Sequence, residues 1–268
     1  MKNKPFLSKI RLYPVKSLDP IEVTEAEVGI RSLLYDREFA MVTKDWRYVN
    51  GKRTGRVNEL KTEFDLSKGI IKLTNRNKMD WQEFELREKN DKLEAYLEDF
   101  FETKISVLQR TEGEFMDMPG TSSVTIVSDE TLKSLHKDLN DKSLDTLRLR
   151  FRANIELSGV PAYWEENLFA GSGKAVHFKI GDVEMIGISP RARCNVPPRN
   201  PLTGETDKSF VKKMIRSREE NLPKGSLVPN YGSLYHLTVN TYVPDNQKGK
   251  TLFLGDEVEV IGAIPFVN

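Results

Sequence analysis

The chain has 268 residues, 38% hydrophobic and 30% charged, the balance of a protein that folds throughout, with room for two units or one large β-rich core. Lys and Arg number 41 against 40 Asp and Glu, so no global field draws it to nucleic acid or an anionic membrane, and any basic site must be local. A single cysteine excludes an internal disulfide and any zinc or iron–sulfur cluster built on several thiolates, and three scattered histidines, His136, His177 and His236, argue against a histidine-rich metal centre.

The opening MKNKPFLSKIRLYPVKS scatters charges among its apolar residues. It offers neither a signal-peptide core nor a run of about 20 apolar residues to span a bilayer, so a cytoplasmic protein is expected. KIRLYPVKSL, IEVTEAEVG, REFAMVTK and GIIKLT cluster β-formers between Gly, Pro, Asp and Asn, which predicts short strands. From Asp91 to Glu102 the residues Leu93, Tyr96, Leu97, Phe100 and Phe101 recur at helical spacing and predict a helix with one core-facing side. Ser128, at the end of SVTIV, is a good N-cap for a second helix that puts Leu132, Leu135 and Leu139 on one side. His136 stands beside that stripe with no second ligand type at matching spacing, so it takes no role.

RFRANIELSG reads as a strand, whose period of two sets Arg150 and Arg152 on the same face. KAVHFKIGDVEMIGIS is a hairpin turning at Gly181 and Asp182, and DKSFVKKMIRSREEN a helix. SLYHLTVNTYV and TLFLGDEVEVIG are further strands, with a second turn at Gly255 and Asp256. His177 and His236 fall inside strands as structural residues. The polar stretch from Gln109 to Ser123 is the expected seam between two β-rich units carrying a few helices.

No GxGxxG follows a strand, and no GxxxxGK or HExxH motif occurs. Gly171 and Gly173 of GSGK lack a following helix and read as a loop. The informative segment is SPRARCNVPPRNPLTGE, which puts Cys194 after a strand, among prolines and beside Arg191, Arg193 and Arg199. Guanidinium groups nearby favour thiolate over thiol, and a proline-rich loop holds the sulfur at a strand end instead of within packing. These residues alone leave two readings open, a functional thiolate and a free structural cysteine. A second concentration comprises YPVKS at 13–17, DR at 36–37 and FRAN at 151–154. Each basic residue alone reads as a solvated side chain; together they suit an anion site, Lys as a mobile charge and Arg as a bidentate fork.

YPVKS, DREF, SVTIVSDETL, RFRANI, RCNVPPRNPLTGE, YGSLYHL and GDEVEVIG, in this order, resemble the MOSC proteins that carry an N-terminal MOSC β-barrel. That group includes the mitochondrial amidoxime-reducing component and its bacterial relatives. The resemblance spans nearly the whole chain and implies a mostly β, β-barrel-like fold with a few helices. It implies an N-terminal MOSC β-barrel domain at 1–110 and a MOSC domain at 111–268. In that family a molybdopterin dithiolene and one protein cysteine bind molybdenum, which assigns Cys194 as metal ligand and catalytic thiolate, in keeping with soft ligation. Lys16, Ser17, Arg37, Arg152, Asn154 and Arg193 stand at the motif positions that contact the cofactor. Where relatives carry a Thr-Thr-Val-Asp-Pro run, this chain has Pro197 to Pro201, so Asn200 replaces the usual acidic residue near the metal. Ala153 stands for a proline, Ala192 for a serine or similar residue, and Arg53 of NGKRTGR for a family arginine.

The resemblance implies a molybdenum-cofactor oxidoreductase that removes oxygen from N-hydroxylated small molecules such as amidoximes, hydroxylamines and N-hydroxylated bases. Electrons are expected from a separate flavin or iron–sulfur reductase, because one cysteine cannot build an iron–sulfur domain. No nucleic-acid polymer or membrane partner is expected. Sulfur transfer through a Cys194 persulfide and non-catalytic molybdopterin binding are the alternatives.

Overall fold

The computed structural model describes residues 4–111, 115 and 124–266. Seven strands precede the first helix among them: β1 (Phe6–Leu12), β2 (Ile21–Val23), β3 (Glu25–Glu27), β4 (Phe39–Thr43), β5 (Leu60–Asp65), β6 (Ile70–Asn75) and β7 (Gln82–Glu85). Asn90 starts α1 (Asp91–Phe101) by accepting from the Lys92 and Leu93 amides, and acidic Asp91 and Glu94 suit the positive end of the helix dipole. Its buried face, Leu93, Leu97 and Phe101, packs with Phe39, Met41, Leu60, Ile71 and Val107 of β8 (Ile105–Gln109) into one hydrophobic core.

Next come β9 (Thr125–Ser128), α2 (Asp129–Leu139), α3 (Leu144–Phe151) and β10 (Ile155–Ser158). The hairpin β11 (Lys174–Ile180) and β12 (Val183–Ala192) follows, turning at Gly181 and Asp182 as the sequence predicts. Last are α4 (Phe210–Asn221), β13 (His236–Tyr242), β14 (Thr251–Phe253) and β15 (Val258–Pro265). The fold is therefore mostly β with a few helices. The stretch expected as a seam, Gln109 to Ser123, falls largely outside the described residues. Among those residues no helix is long and apolar enough to cross a membrane.

One eight-stranded sheet runs in the order β15-β11-β12-β13-β9-β10-β1-β2, so strands from the start of the chain are hydrogen-bonded beside strands from its second half. The pair β9–β10 is parallel and the rest antiparallel. Phe6 also bridges Glu257; Leu7 N donates to Asp256 O, and Val258 N to Pro5 O. The start of β1 thus meets the start of β15, and the sheet curls back on itself like a barrel around Leu7, Ile10, Ile126, Ile155, Phe178, Met185 and Val239. Glycine is required at Gly187 in β12, where a Cβ would lie 1.6 Å from the Leu168 carbonyl oxygen.

RFRANIELSG is not one strand. Ser143 Oγ accepts from the Thr146 amide and starts α3, whose Leu147 and Phe151 bury beside Leu132, Leu135 and Met214. The helix ends at Phe151, Arg152 turns left-handed with φ 54, and β10 begins only at Ile155. Arg150 and Arg152 therefore do not share a strand face.

Glu165, 3% exposed, accepts from Thr131 Oγ1, and burial pushes its carboxyl up to about 7 from an ordinary value of 4.5. The folded state binds this proton more tightly than the unfolded chain does. The associated stability is complete below pH 4.5 and is lost as pH rises through about 7, on the order of 3 kcal/mol in all. Glu165→Gln should gain stability over the wild type as pH rises from 4.5 to 8. Denaturation curves at several pH values measure this, and a pH-independent difference between the two proteins would sink it.

Candidate functional site

A cavity of about 300 Å³ opens where the segment after β1, the loop around Asn50 to Asn58, the end of α3 and the segment after β12 meet. Lys16, Arg37, Lys52, Arg150, Arg152, Arg191, Arg193 and Arg199 line it, and among the described residues Asp19 is the only acidic one on the wall. Both Asp19 oxygens accept from Arg76 Nη2, at 2.5 and 2.6 Å, so even that charge is neutralised. In a chain of net charge +1 this is a strong local positive field.

The two early motifs interlock. Tyr13 N donates to one Asp36 oxygen at 2.9 Å, while the other accepts from Arg37 Nη1, and Arg37 N donates to Tyr13 O. The buried Tyr13 ring then carries two guanidinium groups, Arg37 at 5.0 Å and Arg152 at 4.1 Å from its centroid. Lys16, 8% exposed, donates to the Phe115 carbonyl at 3.0 Å and lies over Tyr48. Ser17, Arg37 and Arg152 all adopt left-handed backbone, φ 75, 52 and 54, a strained conformation that recurs where side chains are aimed at a ligand.

The arginines divide by what they already hold. Arg150 is committed: Nε donates to Asp141 at 2.6 Å, and Nη1 to the Pro197 and Arg199 carbonyls at 2.8 and 2.7 Å. Arg199 ties the loop after Cys194 to the N-terminal half, donating to Gly51 O at 2.8 Å. There Gly204, φ 76, is packed so close that a Cβ would lie 2.8 Å from Gly55 O. Arg152 Nη2 and Arg193 Nε, by contrast, are buried without a hydrogen-bond partner among the described residues. Burial pulls the Arg152 guanidinium down to about 10, with Arg37 adding to the effect, so it stays charged at neutral pH. Burial also lowers Arg193, whose Nη2 donates to Phe151 O at 2.7 Å.

Cys194 is exposed and lines the same cavity, next to Arg193. Its carbonyl accepts from the Tyr235 hydroxyl at 3.2 Å, and burial pushes that phenol up to about 12, so it remains a donor. The cavity thus brings together Lys16, Ser17, Arg37, Arg152, Arg193 and Cys194 from distant parts of the sequence. Asn154 is not on its wall. It stands behind, accepting from Arg37 Nη1 at 3.3 Å and donating to Arg11 O at 3.0 Å, where it orients Arg37.

Asn200 does not line the cavity either; its Oδ1 accepts from Leu202 N at 2.8 Å, so it shapes a turn. Arg53 is likewise absent from the wall, where Lys52 stands instead. Tyr13, Asn58 and Lys52 were not expected: Tyr13 lies inside YPVKS and was within reach, whereas nothing in the sequence marks Asn58.

Unpartnered buried guanidinium nitrogens in a basic cavity suit an anion, and an exposed thiol at the wall supplies one soft ligand. No group of three His, Cys, Asp or Glu that could hold a metal on its own occurs among the described residues. This donor set fits a phosphate-bearing cofactor that brings most of its own metal ligands.

The MOSC N-terminal beta barrel domain matches residues 5–117, and the MOSC domain matches 109–258. The chain is similar to human molybdenum cofactor sulfurase, 24% identical over 267 residues, covering 82% of this chain but only 29% of that protein. The solved YUAD protein from Bacillus subtilis matches 96% of this chain and 97% of its own at 12% identity, with a TM-score of 0.40. With more than half its residues matched by one family and the preceding segment by that family's companion domain, the chain belongs to the MOSC domain proteins, which are associated with the molybdenum cofactor.

Proposed function

We propose that the cavity binds molybdenum cofactor and that the protein reduces N-hydroxylated small molecules by removing their oxygen. The observation that carries this reading is the placement of Cys194 in one cavity with Arg152 and Arg193, whose buried Nη2 and Nε have no partner among the described residues. Arg152, Arg37 and Lys16 hold the phosphate by charge and fork geometry, while Asp36 and Asn154 fix Arg37. Cys194 provides the protein thiolate. The bound cofactor supplies a two-electron reducing centre able to take oxygen from nitrogen. The overall change converts an N-hydroxyl compound, two electrons and two protons to the amine or amidine and water. The electrons come from a separate flavin or iron–sulfur reductase, and the protons come from solvent, which reaches the exposed Cys194.

The exposed thiol and the human relative named a sulfurase favour a second reading. In it a separate persulfide donor passes its sulfane sulfur to the Cys194 thiolate and leaves as a thiolate, and the outer sulfur of the Cys194 persulfide then passes to an acceptor, restoring the thiolate. Protein made in a host competent for the cofactor and in one unable to make it separates the two. Under the reductase reading only the first preparation carries molybdenum and pterin, near one per chain, and it converts benzamidoxime to benzamidine with a reduced dye. Cyanide-labile sulfur without metal in either preparation would overturn that reading in favour of the persulfide.

A further inference from the structure

We infer that Asn58 reads a hydrogen-bond donor, an N–H or O–H, on the molecule that fills the basic cavity. The inference rests on the proposed occupancy of that cavity. Asn58 closes the short helical turn Gly55–Asn58, which Thr54 caps by accepting from the Arg56 amide. Its carbonyl accepts from Arg76 Nε at 2.8 Å, which fixes the backbone. The side chain crosses to the other half of the protein, where Nδ2 donates to Pro201 O at 3.4 Å in the loop that follows Cys194. Because a carbonyl can only accept, that contact assigns the nitrogen to the Pro201 side and the oxygen to the other. Oδ1 is then left buried with no partner among the described residues, in a side chain that lines the cavity.

The remaining polar wall is dominated by donors, guanidinium and ammonium groups. A purely anionic ligand would satisfy Arg152 Nη2 and Arg193 Nε and leave the Asn58 oxygen orphaned. An acceptor placed opposite those donors suits a ligand that is anionic in one part and carries an amino or hydroxyl group in another. The amino-substituted ring of a pterin has that chemistry. So does the N-hydroxyl group of a substrate bound beside it, and the two sources are separated by experiment.

Two substitutions divide the amide's functions: Asn58→Leu removes both hydrogen bonds, whereas Asn58→Asp keeps an acceptor, with an added negative charge, and loses the donation to Pro201. Molybdenum and pterin per chain form one readout, and calorimetric binding of benzamidoxime to the full chain the other. Asn58→Leu should weaken one of them about tenfold and Asn58→Asp should restore it. A loss of pterin with unchanged benzamidoxime affinity assigns the donor to the cofactor, and the reverse assigns it to the substrate. Equal losses in Leu and Asp, or none in either, overturn the inference, because a bond to the loop alone would treat both variants alike. Wild-type protein that lacks pterin even from a competent host overturns the cofactor reading separately, and the benzamidoxime arm still decides Asn58.

Discussion

Cys194→Ser should fold and melt like the wild type yet purify almost free of molybdenum and without reductase activity. The metal loss follows from ligand chemistry, since a serine hydroxyl stays protonated at neutral pH and is a poor ligand for a site that selects soft thiolate. Preservation of the fold follows from the structure. The side chain is exposed, and the hydrogen bond from the Tyr235 hydroxyl to the Cys194 carbonyl uses backbone that serine retains. A stability change within about 0.5 kcal/mol is therefore expected. Elemental analysis, pterin fluorescence after oxidation and a thermal melt measure the three quantities. Full metal content with full activity would remove Cys194 from the site. Lost cyanide-labile sulfur in a protein whose wild type holds no metal would move it to the persulfide chemistry.

Local signals in the sequence carried most of the secondary structure. The cap at Ser128, the helical stripe through Leu93 and Leu97, and the Gly181–Asp182 turn each act over a few residues, where side-chain hydrogen bonding and spacing decide the outcome. RFRANIELSG was misread because its alternation suits a strand. Its upstream neighbours decide otherwise: Ser143 can cap, and Leu144, Leu147 and Phe151 stand on one helical side. The meeting of β1 with β15 has no local signal, since it depends on how far a sheet curls over more than two hundred residues of sequence. In the site, residue type and motif position singled out charged residues that line one cavity. They did not reveal commitment: Arg150 and Arg199 look as available as Arg152 in sequence, and the bond between Asn154 and Arg37 has no local signal.

Arg150 and Arg152, two residues apart, should fail in opposite ways when replaced. Arg150 is 7% exposed, paired with the nearly buried Asp141 and bonded to two carbonyls of the loop that follows Cys194. Arg150→Ala leaves that carboxylate and both carbonyls without their donor, and breaking a buried pair costs about 3 to 5 kcal/mol. Its first effect is on stability and on loop order. Arg152 has an unpartnered Nη2, a guanidinium held at a desolvation penalty, and left-handed backbone at the end of α3. Its stacking on Tyr13 offsets part of that penalty, so Arg152→Ala should stay within about 1 kcal/mol of the wild type. Arg152→Gly should be more stable than Arg152→Ala by about 1 kcal/mol, because glycine accepts the left-handed turn. Cofactor retention should follow a different order. Lysine keeps the charge but loses the fork, a difference of about 1 to 2 kcal/mol, and alanine and glycine lose both. The expected sequence is wild type, Arg152→Lys, then Arg152→Ala and Arg152→Gly together, with Arg150→Ala retaining more pterin per folded chain than either of the last two. Pterin content after gel filtration and denaturant unfolding of each apoprotein give the two scales. Retention that simply followed stability across all of these proteins, or a larger loss per folded chain at Arg150, would mean that Arg152 does not grip the phosphate.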